Sequence, residues 1–329
     1  MSAIPKVAIA CQGGGSHAAF AAGVLSGLLA PAMRERFRLV ALSGTSGGAM
    51  CAALAWAGLC RGGPDEALAR LGAFWRDLEV RDLLDAMLNF WSVWLARFPV
   101  SAEVSPYAYE PVAEETLRAL LGKHLALEAL PPDARRGPAL FIGATDIRNG
   151  DRLIFAGDTL TYDQLVASAA VPPIFRAVDA DGRLCWDGLF STNPPVREFT
   201  DIGDRPDEIW VVQINPQRRD EEPRSVRDIA DRRNELAGNL SLGQELYFIE
   251  RINRLLGEHE SLRARYQPIA VRVVELDRTD LDYPSKLDRS GALIEDLLQR
   301  GRNAAPRFFA DESRWPRAGS IPAKAVRPA

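Results

Sequence analysis

The sequence predicts an α/β fold, a three-layer α/β/α domain built on a mostly parallel central sheet. Three observations lead there. Apolar runs such as Val7 to Cys11 are continuous instead of alternating, the pattern of strands buried on both faces of a parallel sheet. Such a run passes through a glycine loop into a helical apolar pattern, and this succession occurs twice before Ala57. With 329 residues, 47% of them hydrophobic and 26% charged, the chain can bury a large core, which excludes fibrous and low-complexity classes. The expected organisation is one domain over residues 1–310, with a helical insertion at about 64–125 and a disordered tail at 311–329.

The first strand, Val7 to Cys11, ends at Gly13-Gly14-Gly15, and a helix follows from Ser16, a residue suited to the N-cap, to Leu29. Phe37 to Leu42 reads as the second strand. Gly44-Thr45-Ser46-Gly47-Gly48 then turns the chain into an Ala-rich helix from about Ala49 to Ala57. Residues 64–125 are mostly helical in pattern and include an aromatic piece with Phe90, Trp91, Trp94 and Phe98, a stripe that more often packs in a core than lines or covers a pocket. Ala139 to Thr145 and Arg152 to Phe155 are strands around an Asn149-Gly150 hairpin signal. A helix at Tyr162 to Ala170 and strands at Leu184 to Trp186 and Glu208 to Ile214 follow. The six arginines and six acidic residues of Arg218 to Glu235 suggest a solvated helical face. A long helix from about Val226 to Leu256, a strand at Ile269 to Leu276 and a helix at Leu287 to Arg302 complete the reading.

Lys+Arg 40 against Asp+Glu 44 gives a net charge of −4, so no global basic field is available to grip nucleic acid. Cys11, Cys51, Cys60 and Cys185 fall in no metal-ligand or disulfide-scaffold spacing, which fits a reducing compartment. The N-terminus carries no signal-peptide pattern and no apolar run is long enough to span a bilayer. A cytoplasmic protein is expected, with peripheral membrane contact open.

Gly44-Thr45-Ser46-Gly47-Gly48 fits G-x-S-x-G between a buried strand and a helix, the context of a nucleophile elbow. Glycines two positions either side relieve the sharp turn and leave Ser46 Oγ at the helix N-terminus, where the dipole favours developing negative charge. Acyl transfer also needs backbone N–H donors for the oxyanion, and Gly14, Gly15 and Gly47 are the natural ones. A dinucleotide reading of Gly13 to Ala18 lacks the acidic residue expected at the end of the second strand. His17, His124 and His259 are the available imidazoles, and His259 alone follows the chain order of a Ser-Asp-His triad. Asp187, at a strand end and before Gly188, is the better base.

Gly13-Gly14-Gly15, the Ser46 turn and Asp187-Gly188, in that order, resemble the patatin-like phospholipase family over about residues 5–215. Ala167 to Phe175 is similar to the segment preceding the family's aspartate strand. Ser16 stands where the family usually has Arg or Lys, Ala18 where it has Gly, and Leu189 where it has Gly or Ala. The resemblance implies a Ser46–Asp187 dyad acting without histidine, lipid acyl hydrolase activity, a lipid ester as the partner, and no catalytic metal or cofactor. A triad esterase using His259 and a catalytically silent lipid-binding scaffold are the alternatives.

Overall fold

Alternate residues of the first strand enter different cores, because side chains of a strand point to opposite faces. In β1 (Lys6–Cys11), Val7, Ile9 and Cys11 join one apolar cluster while Ala8 and Ala10 join another, all wholly buried. The computed structural model describes residues 4–96, 105–108, 110–131, 137–172, 174–278 and 280–311. Its other strands are β2 (Arg38–Thr45), β3 (Ala139–Asp146), β4 (Arg152–Ala156), β5 (Val178–Ala180), β6 (Arg183–Asp187), β7 (Glu208–Gln213) and β8 (Ala270–Glu275). They form one sheet ordered β5-β6-β3-β2-β1-β7-β8, with β4 also on β3. From β3 through β8 the neighbours are parallel, and the β4, β5 and β6 pairings are antiparallel.

The helices are α1 (Ala19–Leu29), α2 (Pro31–Arg34), α3 (Gly47–Gly62), α4 (Pro64–Leu78), α5 (Leu83–Ala96), α6 (Val112–Leu125), α7 (Tyr162–Ser168), α8 (Val226–Glu258) and α9 (Gly291–Ala310). The larger core lies between the sheet and α1, α3, α4, α6, α7 and α9. The smaller one lies between the opposite face and Leu242, Leu246 and Ile249 of α8, together with Val196 and Phe199. This is the three-layer arrangement the sequence predicts. α1 and α9 approach backbone to backbone: a methyl group at Gly23 would collide with the Leu298 carbonyl, and one at Gly301 with the Phe20 carbonyl.

The register around β3 positions the site. β3 pairs β2 through Ala139 to Gly143 and β4 through Phe141 to Thr145, so these two strands occupy opposite edges. β6 pairs Ala144 to Asp146 of β3, two of which also pair β4, so β6 lies on the β2 edge. It therefore succeeds β2 along that edge, with Asp187 opposite Ala144, one residue beyond the partner of Thr45.

Several boundaries differ from expectation. β2 runs on to Thr45 and α3 begins at Gly47, leaving only Ser46 between strand and helix. The first helical segment splits into a 3-10 turn, Gly15–Ala18, and α1. Pro284–Leu287 forms its own 3-10 turn, so α9 starts later, at Gly291. β5 is too short to leave a periodic signal. α4 and α6 contribute Leu71, Phe74, Trp75 and Leu121 to the main core and are built into it, whereas Phe90 and Trp94 of α5 are 61% and 39% exposed. Phe98 and residues 312–329 lie outside the described residues. The Arg218 to Glu235 segment is not wholly solvated: Asp231 and Glu235 point inward and are buried.

Candidate active site

With β2 ending at Thr45 and α3 starting at Gly47, Ser46 must reverse the chain alone, at φ 55° and ψ −131°. A side chain in such a conformation costs about 1–3 kcal/mol and persists only where the surroundings impose it. They do so here. The Ser46 N–H donates to Ser168 Oγ at 3.0 Å and to the Ser168 carbonyl at 3.1 Å, and Ser168 Oγ donates to the Gly143 carbonyl at 2.6 Å. The turn closes on itself at Gly44, where a methyl group would collide with the Gly48 carbonyl, and packs on the end of β1 at Gly48, where one would collide with that of Cys11. Ser46 retains 8% exposure at the head of α3.

Asp187, succeeding β2 on the same edge of β3, is 1% exposed. Its Oδ1 accepts the Leu189 N–H at 2.7 Å, which fixes the turn through Gly188. Oδ2 is buried and meets no well-aligned donor among the described residues. Burial pushes the carboxyl up to about 7, against the opposing pull of the Leu189 N–H, the Ser46 hydroxyl and the Lys286 charge. Ser46 thus lies near enough to bias the carboxylate without an aligned hydrogen bond.

The third part is the loop after β1. Gly13 N–H donates to Asn193 Oδ1 at 2.7 Å, and Asn193 Nδ2 donates to the Gly238 carbonyl of α8 at 3.1 Å. Gly13 is therefore an anchor. Gly14 lies against Ile214, and Gly15, at φ 55°, lies so close to the Lys286 carbonyl that no side chain fits. The N–H groups of Gly14 and Gly15 meet no acceptor among the described residues. Gly47 packs on Ala18 and on the Gly15 carbonyl, bringing the first N–H of α3 beside this loop.

The glycine run, the strained serine and the buried aspartate all fall within residues 9–200, which match the family Patatin-like phospholipase and make up more than half of the chain. The chain belongs to the patatin-like phospholipase family. It is similar to the crystal structure of VipD from Legionella pneumophila, at 12% identity and a TM-score of 0.45, over 94% of this chain and 67% of that one. It is similar to the type III effector ExoU, at 14% identity and a TM-score of 0.38, over 93% of this chain and 53% of that one. ExoU in the ExoU–SpcU complex from Pseudomonas aeruginosa gives 15% identity and a TM-score of 0.39, over 93% and 51%. The chain thus spans about half the length of ExoU. No curated protein sequence matches it.

Lys286, which sequence reasoning missed, lies beside the loop after β1, and its charge acts on Asp187. Its Nζ donates to Asn215 Oδ1 at 2.7 Å and to Asn234 Oδ1 at 2.5 Å. Burial pushes the ammonium down to about 8, while Glu235, Asp231 and Asp187 pull the other way. Asn193, Asn215 and Ser168 were missed as well, because nothing local distinguishes them from ordinary polar loop residues.

None of the three histidines hydrogen-bonds Ser46 or Asp187 among the described residues. His17 Nε2 is paired with Ser285 Oγ at 2.8 Å, and burial, reinforced by Lys286, pushes it down to about 3. His124 Nε2 is paired with Asp77 Oδ2 at 2.8 Å. His259 is exposed at the far end of α8. The site meets α8 at Gly238, so His259 lies roughly 30 Å further along at 1.5 Å per residue. Cys11, Cys51 and Cys185 are buried free thiols, and no group of three or more His, Cys, Asp or Glu among the described residues could hold a metal ion. No described helix is long and apolar enough to cross a membrane.

Proposed function

We propose that the protein is a serine hydrolase that cleaves carboxylic esters of lipids through Ser46 and Asp187 by way of an acyl-enzyme. Family membership supports lipid hydrolase activity. The observation that carries the dyad is the Asp187 carboxylate, buried, half free and adjacent to a serine in a strained turn. Residues 1–310 act in this reading as one domain, because Lys286 belongs to the site as much as Gly15 does.

As a carboxylate, Asp187 accepts the hydroxyl proton of Ser46 while Oγ attacks the ester carbonyl carbon. The carbonyl electron pair moves onto oxygen, where the N–H groups of Gly14, Gly15 and Gly47 receive it. Collapse expels the alcohol, which leaves with the proton held by Asp187. Water then attacks the acyl-enzyme and gives a proton to Asp187, which returns it to Ser46 as the fatty acid departs. A carboxylate with an ordinary pKa near 3.9 is a weak base; one near 7 is ionised in about half of the molecules at neutral pH and is far better matched to the task.

The test is Ser46→Ala against wild type, with a fluorophosphonate probe and a mixed lipid extract. Expected are loss of labelling and loss of fatty acid release, with an unchanged circular dichroism spectrum. Wild type that neither labels nor hydrolyses any ester would establish the silent scaffold instead.

A further inference from the structure

α8 separates its charges by face. Asp231, Glu235 and Glu245 are buried on the inner side, where Arg219 and Arg232 pair with Glu235 and Arg152 with Glu245. The outer side is different. Val226, Ile229, Leu236, Leu240, Tyr247 and Phe248 are between 44% and 66% exposed, at the three- and four-residue spacing of one helical stripe. The charged residues exposed with them, from Ile229 to Arg254, are Arg233, Arg251 and Arg254, and none is acidic. Arg254 is paired with Glu250, whereas Arg233 and Arg251 make no ion pair among the described residues. Apolar side chains interleaved with arginine, on a helix whose opposite face is held in the domain by Leu242, Leu246 and Ile249, form a surface suited to the interface of an anionic bilayer.

The inner face of α8 reaches the site. Gly238, buried and on the opposite side of the helix from Leu236 and Leu240, lies against Leu189 two residues after Asp187, and its carbonyl holds Asn193, the anchor of Gly13. Phe190, next to Leu189, is 55% exposed. We infer that the outer face of α8 docks the protein on an anionic lipid surface. This rests on the reading of the substrate as a lipid ester, and it commits the stripe to a membrane over a second copy of the chain or a protein partner.

The experiment is flotation of the Ser46→Ala protein, which leaves lipid intact, with vesicles of phosphatidylcholine alone or of phosphatidylcholine with phosphatidylglycerol. Binding to the mixed vesicles, weakened by salt, is expected. Arg233→Gln combined with Arg251→Gln should weaken it roughly thirtyfold, about fivefold per arginine, and Leu240→Glu should abolish it. These side chains are exposed, so melting temperatures should not change. With Ser46 restored, the same variants should hydrolyse a water-soluble short-chain ester at the wild-type rate. Absence of binding, equal binding to both vesicles, or undiminished binding by the stripe variants would overturn the inference. So would a dimer in solution that Leu240→Glu converts to monomer. Loss of all ester hydrolysis in wild type, with stripe-dependent vesicle binding intact, would strike the hydrolase reading and leave the surface standing.

Discussion

After β2 the chain reverses at Ser46, and the residues that shape the turn, Gly44 and Gly48, lie within two positions of it. After β1 the chain reverses through Gly13 to Gly15, and the groups that hold it come from afar: Asn193, 180 residues on, then Ile214 and the Lys286 carbonyl. Both turns close the carboxyl end of a parallel strand. The first combines its own glycines with a brace from Ser168, 122 residues on. The second takes these supports from other parts of the fold, which means that its aim depends on the assembled domain.

The largest effect should come at Asp187, the base of the proposed mechanism. Asp187→Asn keeps the shape and removes the acceptor, so kcat should fall by at least on the order of 10⁴-fold. His124→Ala and His259→Ala should keep most of the activity, and the comparison fails if His259→Ala matches the inactive Asp187→Asn. Stability should move the other way. A carboxyl whose folded pKa is raised to about 7 stays protonated while the unfolded one ionises, so wild type loses stability as pH rises from about 4 to 7. At about 1.4 kcal/mol per unit, Asp187→Asn should gain up to roughly 4 kcal/mol on wild type between pH 4 and pH 8. Denaturant titrations at both pH values read that difference.

A smaller effect separates the two turns directly. Gly14→Ala would press on Ile214, displace an oxyanion donor and lower kcat by on the order of 10²-fold. Adding Ile214→Ala should restore part of that loss, since the obstacle is the end of a remote side chain. Gly44→Ala collides with the backbone of Gly48, and no second substitution should rescue it. Equal rescue at both turns would erase the distinction.

The smallest effect concerns Lys286. Its charge draws the Asp187 carboxyl down, so Lys286→Met should move the acid limb of the kcat profile to higher pH, lowering the rate at pH 6 more than at pH 8. His17, at about 3, ionises far below this limb and cannot produce it. An unmoved limb would make Lys286 a brace for Gly15 alone.

The same contrast explains what could be read from residues. The layers, most of the strands, the Ser46 turn and Asp187 were legible because each rests on a local pattern: continuous apolar runs, a glycine two positions from a serine, an Asp-Gly pair at a strand end. β5, three residues long, carries no period. Lys286 follows a proline and a serine in a short 3-10 turn, and only the fold brings it beside Gly15. The Arg218 to Glu235 segment reads as uniformly polar because a count of charges ignores which face each one occupies. Phe90 and Trp94 lie on a helical stripe that core and surface patterns share, and their exposure on α5 became visible only with the helix in place.

The backbone contact between α1 and α9 bears on how the molecule is made. Gly23 and Gly301 fit together with no room for a methyl group, so the face of α1 that α9 covers remains open until synthesis has passed Gly301. Lys286, whose carbonyl seats Gly15, also emerges late. A nascent chain that has displayed Ser46 and Asp187 therefore still has an unseated glycine loop after β1 and an uncovered first helix, and both wait on the segment from Lys286 to Gly301.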